Sequence, residues 1–231
     1  MLKKTRANIA FGAKSKIFDM FNFQSMLDRR EMNLLEDHMG FRGQIPEHRR
    51  FQLDFLKSQG LKPEHSFLEI GCGPMTGGLV LIDYLDSGNY VGIDVRPEVL
   101  NLSWQQVGKA GLAAKNPRLI ISTRFGDDYL DDRKFDFVMS FSVLYHLSDE
   151  ILDGWFSSVS RRIGTAFANV NTETEGSTWL QFPFVKRTVE DYVTMAAKHG
   201  LRTDNLGSIE SLGFKLPGLE RENPLLRFTR T

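Results

Sequence analysis

The chain has a single cysteine in 231 residues, Cys72. That excludes an intrachain disulfide and any cysteine-clustered zinc site. Net charge is lacking too: 29 basic residues balance 29 acidic ones. No global field therefore draws the protein to nucleic acid or to an anionic membrane. No apolar run approaches the roughly 20 residues that a membrane-spanning helix needs. The N-terminus, "MLKKTRANIA", lacks the apolar core of a secretory leader. No His, Asp and Glu spacing argues for a metal. Internal repeats and low-complexity segments are also missing. These gaps point to a cytoplasmic globular protein with no membrane span and no nucleic-acid partner. A 41% hydrophobic content supplies a sizeable core.

What the chain does have is ordered texture. Residues 1–63 read as a helical extension, crowded early by Phe11, Phe18, Phe21 and Phe23. These rings would pack extra helices or cover a site. "PEHRRFQLDFLKSQG" is a helix with Pro46 in its first turn and Gly60 at its end. His38, His48, Arg49 and Arg50 on this part read as surface or rim groups. From residue 64 to 231 apolar runs alternate with helical patterns. "SFLEIG", "NYVGIDV", "RLIISTR", "FDFVMSFS" and "TAFANVN" read as strands. Between them lie "GGLVLIDYLDSG", ended by Gly88, and "RPEVLNLSWQQVGKAGLAAK". "SDEILDGWFSSVSRRIG" follows, with Ser148 as N-cap and Ile151, Leu152, Trp155, Phe156 and Val159 on one face. "TVEDYVTMAAKHG" has Thr188 as cap and Gly200 as terminator. Continuous apolar strands alternating with helices mean a mostly parallel sheet covered on both faces, an α/β architecture.

Such sheets bind ligands at the carboxyl ends of their strands. Here those ends are glycine-rich or acidic. "FLEIGCGPMTGG" follows the first strand, Asp94 the second, "FGDDYL" the third and "SFSVLYHLSDE" the fourth. A dinucleotide fingerprint needs a third glycine where this chain has Thr76. Pro74 also removes an amide that would grip a pyrophosphate. A phosphate-free nucleoside fits better. Asp94 can accept bonds from two ribose hydroxyls, and Asp127 from an exocyclic amine. The bend at Gly71–Gly73 allows close backbone approach. Glu69 suits a cationic ligand group, or pairs with a basic side chain of the extension.

"LEIGCGP", "VGIDVRPEVL", "FGDDYL" and "FDFVMSFSVLYHLSDE" together resemble the four motifs of class I S-adenosylmethionine-dependent methyltransferases, in order and spacing. The resemblance implies a Rossmann-like, mostly parallel seven-stranded sheet with helices on both faces. Its last strand would be antiparallel, for which "NPLLRFTRT" is suited. It implies an enzyme with S-adenosylmethionine as cofactor. Gly71 and Gly73 would line the methionine part, with Glu69 and Cys72 nearby. Asp94 would hold the ribose and Val95 pack on the adenine. Asp127, or its neighbour Asp128, would take the adenine amine. Ser140 and Phe141 would approach from the fourth strand. His146 is then either a general base or part of the pocket wall. Apart from the resemblance, Asn169, Asn171 and Glu173 end the fifth strand, where they could hydrogen-bond substrate groups, and Trp179 and Phe182 in the loop beyond could wall the pocket. "SFSVLY" stands where enzymes methylating DNA adenine carry Asn/Asp-Pro-Pro-Tyr/Phe. The acceptor expected is a small molecule, a sugar or a lipid-linked compound, with oxygen favoured. The alternatives are a cofactor-binding module without catalysis, or a partner subunit of a methyltransferase complex. A nicotinamide-dependent oxidoreductase is opposed by Pro74 and Thr76.

Overall fold

The computed structural model describes residues 44–173, 176, 178–179, 182–214 and 223–231. Phe11, Phe18, Phe21, Phe23 and His38 lie outside them. Helix α1 (Ile45–Ser58) is followed by β1 (Phe67–Ile70), α2 (Gly78–Tyr84), β2 (Tyr90–Asp94) and α3 (Pro97–Lys109). Then come a 3-10 turn at Leu112–Lys115, β3 (Arg118–Ile121), β4 (Phe135–Ser140) and a second 3-10 turn at Leu144–His146. Helix α4 (Asp149–Ser160) leads to β5 (Ile163–Asn169) and a short hairpin, β6 (Thr178–Trp179) and β7 (Phe182–Pro183). Helix α5 (Val189–Ala197), β8 (Leu201–Ser208) and β9 (Pro224–Arg230) complete the described elements.

Seven strands form one sheet in the order β3-β2-β1-β4-β5-β9-β8. Pairings from β3 through to β5 are parallel. β9 runs antiparallel to both β5 and β8. This is the Rossmann-like methyltransferase arrangement. Chain order reverses between β1 and β4, so the crevice of the fold opens beyond their carboxyl ends.

Both sheet faces are buried, which explains the unbroken apolar strands. Side chains alternate between two cores. Phe67, Phe137 and Phe167 join α1 and α2 through Leu56 and Leu79. Leu68, Val138 and Ala166 face α4 and α5 through Trp155, Phe156 and Tyr192. Helix α1 therefore shares one core with the strands, across the division expected near residue 63. Arg49 confirms the attachment: its Nε donates to the Thr76 carbonyl at 2.7 Å.

Local rules explain most element ends. Ser148 caps α4 by accepting from the Ile151 amide, and Thr188 with Asp191 forms a capping box on α5. Some details differ from the expectations, among them His48 and Arg49, read above as surface or rim groups but buried beneath the sheet's first tips. Helix α2 stops at Tyr84, four residues before Gly88, because Leu85 turns to extended backbone (ψ 155°). Ile151 is 48% exposed, while Leu152, Trp155, Phe156 and Val159 are buried.

One close approach fixes the crevice. Gly71 has φ +79°, and a Cβ there would sit 2.3 Å from Cγ2 of Val143. Gly71→Ala is expected to cost about 2–4 kcal/mol, from left-handed backbone plus overlap. Calorimetric melting should fall by roughly 5–15 °C. Adding Val143→Ala should recover the overlap part only. An unchanged melting temperature in the single variant would refute this packing.

Candidate functional site

The tips of β1, β2 and β3 are laced together by backbone bonds. The amides of Gly71 and Cys72 donate to the Ile93 carbonyl at 2.7 and 2.9 Å, and the Ser122 amide to the Asp94 carbonyl at 3.2 Å. The glycine bend is held from two further sides. Asp94 Oδ2 accepts from the Gly73 amide at 3.0 Å, and Ser103 Oγ on α3 donates to the Gly73 carbonyl at 2.7 Å.

A cavity of about 320 Å³ opens over these tips. Gly71, Gly73, Asp94 and Val95 border it, as do Phe141 and His146. The nearby walls include Ser122 and Phe125 after β3, Arg96 after β2, and Trp179 and Phe182 of the hairpin. Two wall residues are non-glycines with left-handed backbone, Phe125 (φ 54°) and Ser142 (φ 58°). Strain of this kind collects at ligand sites. The Ser142 amide is held there by Asn169 Oδ1 at 2.5 Å.

Asp94 is nearly buried, and its oxygens are already partnered. Oδ1 accepts from the Arg96 amide at 3.0 Å and from Arg96 Nε at 3.2 Å. Oδ2 takes the Gly73 amide, with Arg96 Nη2 only at 3.5 Å. A carboxylate oxygen has room for two strong donors. Oδ2 can thus take one more, and Oδ1 can exchange the Arg96 side chain for a ligand hydroxyl. The carboxylate therefore suits a vicinal diol. The Arg96 guanidinium also lies 5.4 Å from the Trp179 ring and 5.6 Å from Phe182, which ties the hairpin to the tip of β2.

The other expected site residues lie elsewhere. Glu69 turns away from the cavity to accept a hydrogen bond from the Tyr90 hydroxyl. Burial raises its carboxyl to about 7, against the lowering effect of Tyr90, with Asp94 adding to the rise. Cys72 packs against Gly92 of β2, and burial followed by the charges of Glu69 and Asp94 pushes its thiol well up. Ser140 Oγ accepts from Trp155 Nε1 at 3.0 Å inside the α4 core. Asp127 is bound by Ser158 Oγ, Arg161 and Arg162 at 2.7, 2.7 and 2.8 Å. Burial pushes its carboxyl up, but those donors and charges outweigh it and hold it below the ordinary range. Asp128 pairs with Arg124 at 2.7 Å on the surface. Neither acid of "FGDDYL" borders the cavity; Ser122 and Phe125 from the same loop do.

His146 sits on the 3-10 turn after β4. Its Nδ1 lies 2.9 Å from the Pro183 carbonyl. A carbonyl only accepts, so Nδ1 carries the proton and Nε2 keeps its lone pair. Burial lowers its pKa, the Pro183 bond opposes this, and Arg96 lowers it further. The ring is neutral at pH 7 and able to take a proton. Beneath the wall, His48 of α1 meets Phe141 edge-on at 4.8 Å. Burial, then the charge of Arg49, lowers its pKa to about 3, so it stays neutral.

Sequence reading did not single out Ser122, Phe125, Arg96 or Phe184. The signal for Ser122 was position alone, directly after a strand. Among the described residues no cluster of three or more His, Cys, Asp or Glu could hold a metal ion. No helix among them is long and apolar enough to cross a membrane.

Glu69 gives a stability prediction. Its folded pKa of about 7 lies above the ordinary 4.5. Stability from this group is full below the lower value and is lost as pH rises to the upper one. Glu69→Gln should match the parent below about pH 4 and exceed it above pH 7, by roughly 3 kcal/mol at most. Denaturant titrations across that range would measure it, and parallel curves would refute the buried, protonated state.

Residues 67–164 match the model of the family described as "Methyltransferase domain". No curated protein matches. Solved structures with this fold include an S-adenosylmethionine-dependent methyltransferase of Clostridium acetobutylicum, at 12% identity and TM-score 0.65, over 92% of this chain and 99% of that one. Another is a magnesium protoporphyrin IX methyltransferase of Synechocystis with bound S-adenosylhomocysteine, at 15% identity and TM-score 0.60, over 80% and 82%. A glycopeptide N-methyltransferase aligns at 11% identity and TM-score 0.59, over 78% and 86%.

Proposed function

We propose that this chain is a class I S-adenosylmethionine-dependent methyltransferase acting on a small-molecule, sugar or lipid-linked acceptor, with oxygen as the favoured atom; the match of residues 67–164 to the methyltransferase-domain family supports the reading. The observation that carries the reading is the buried Asp94 carboxylate at the cavity edge, bonded to the glycine bend and with capacity for a ribose. S-Adenosylmethionine supplies a methyl on a sulfonium, whose departing thioether is neutral.

The chain's own residues do the rest. Gly71 and Gly73 bring backbone close to the methionine part. Asp94 takes the ribose hydroxyls as Arg96 yields. Val95 and Phe125 flank the adenine, and Ser122 takes the polar edge assigned above to Asp127 or Asp128. Phe141 closes the floor. His146 Nε2 accepts the acceptor's proton while Pro183 holds the ring through Nδ1–H. Alignment of acceptor, methyl and sulfur in a water-poor cavity supplies most of the rate.

Asp94→Ala should weaken S-adenosylhomocysteine binding by about 2–3 kcal/mol, the value of charge-assisted bonds to two hydroxyls. Isothermal calorimetry on the full chain measures this, with a parallel melting curve to separate loss of the Gly73 bond. An unchanged dissociation constant would overturn the placement, and no heat from the parent chain would overturn the reading itself.

His146→Gln should lower kcat while leaving S-adenosylhomocysteine affinity within about twofold. In the parent, activity should fall as pH drops through the His146 pKa, below 6.5. That acid limb should be missing in the variant. A limb that persists assigns the proton to another group.

A further inference from the structure

The roof of the cavity is aromatic. Tyr145 and His146 come from the turn after β4, Trp179 and Phe182 from the β6–β7 hairpin, and Phe184 from the segment after it. The Tyr145 and Phe184 rings stack 5.6 Å apart with planes 8° from parallel. Trp179 and Phe182 stack at 6.2 Å and 27°. His146 lies between the pairs, 4.7 Å from Phe184 and 5.7 Å from Trp179. Such surfaces favour a flat ligand that offers its own π face.

Several polar groups around this roof are occupied. Asp94 and Arg96 are the charged residues of the wall, and they are paired with each other at 3.2 Å. Asn169 Oδ1 holds the Ser142 amide and Asn171 Oδ1 the Glu173 amide. A charged acceptor would lose water beside a wall whose one carboxylate and one guanidinium leave it no net charge. A polyol would bury hydroxyls that find few donors or acceptors in exchange.

We propose, resting on the methyltransferase reading above, that the acceptor is an uncharged planar aromatic compound bearing a hydroxyl, stacked beneath Tyr145, Trp179, Phe182 and Phe184. An aromatic hydroxyl, whose pKa is about 10, passes its proton to a neutral imidazole more readily than an aliphatic alcohol does. The proton goes to His146 Nε2 and a bond forms between the acceptor oxygen and the methyl carbon. The carbon–sulfur bond breaks with its electron pair left on sulfur. The positive charge of the sulfonium is thereby transferred to the imidazolium.

Naphthol is the probe, titrated into the full chain saturated with S-adenosylhomocysteine and followed by its own fluorescence. It should bind about tenfold more tightly than decalol, its saturated counterpart, naphthoate or methyl glucoside. Phe184→Leu should weaken naphthol about fivefold to tenfold, Phe184→Tyr should restore it, and S-adenosylhomocysteine affinity should stay within about twofold in both. Equal binding of naphthoate, decalol or glucoside would overturn the proposal, as would indifference to Phe184→Leu. If S-adenosylhomocysteine binds and naphthol does not, only the acceptor class falls. If neither binds, the methyltransferase reading falls and this inference with it.

Discussion

The hydrogen bond from the Gly73 amide to Asp94 Oδ2, 3.0 Å long, organises the site. It ties the bend after β1 to the tip of β2, and it places a nearly buried carboxylate at the edge of the crevice. An unpaired carboxylate there would be costly, so the bend and the acid stabilise each other. Ser103 grips the opposite side of the same bend from α3. The bend is thus set before any ligand arrives, which lowers the ordering cost of binding. Arg96 completes the arrangement by pairing with Oδ1 of the carboxylate and meeting the hairpin rings.

Most of the architecture could be read from the amino acids. Parallel strands buried on both faces must be apolar throughout, so β1 to β5 stood out against their helices. Caps at Ser148 and Thr188 marked helix starts, because their side chains satisfy amides that a helix leaves open. The glycine bend and Asp94 were legible for a similar reason: each demands a particular residue type. Side-chain direction was less visible. Glu69 and Cys72 sit beside the bend in sequence but turn into the sheet, where Tyr90 and Gly92 receive them. In "FGDDYL" the two acids look like the binding groups, yet three donors from the end of α4 hold Asp127, and the small neutral Ser122 borders the cavity. No local pattern carries a contact between residues thirty positions apart. The roof hairpin, with two residues in each strand, is too short for any periodic signal.

Helix α1 is part of the site's foundation. Arg49 is almost fully buried, and burial lowers its guanidinium to about 9, so it remains charged at neutral pH. It braces the segment after the glycine bend through the Thr76 carbonyl. Its neighbour His48 meets Phe141, which lines the cavity floor. The floor of the crevice and the helix before β1 form one packed unit.

The position of β9 has a consequence for how the chain assembles. This strand is the last of the seven in order of synthesis, yet it lies between β5 and β8. While a ribosome is still making it, β8 has no edge to join, and the outer edge of β5 stands open. Such an interval exposes unpaired backbone to other nascent chains. Productive assembly therefore depends on the antiparallel insertion of β9, a non-local pairing of the kind that slows folding.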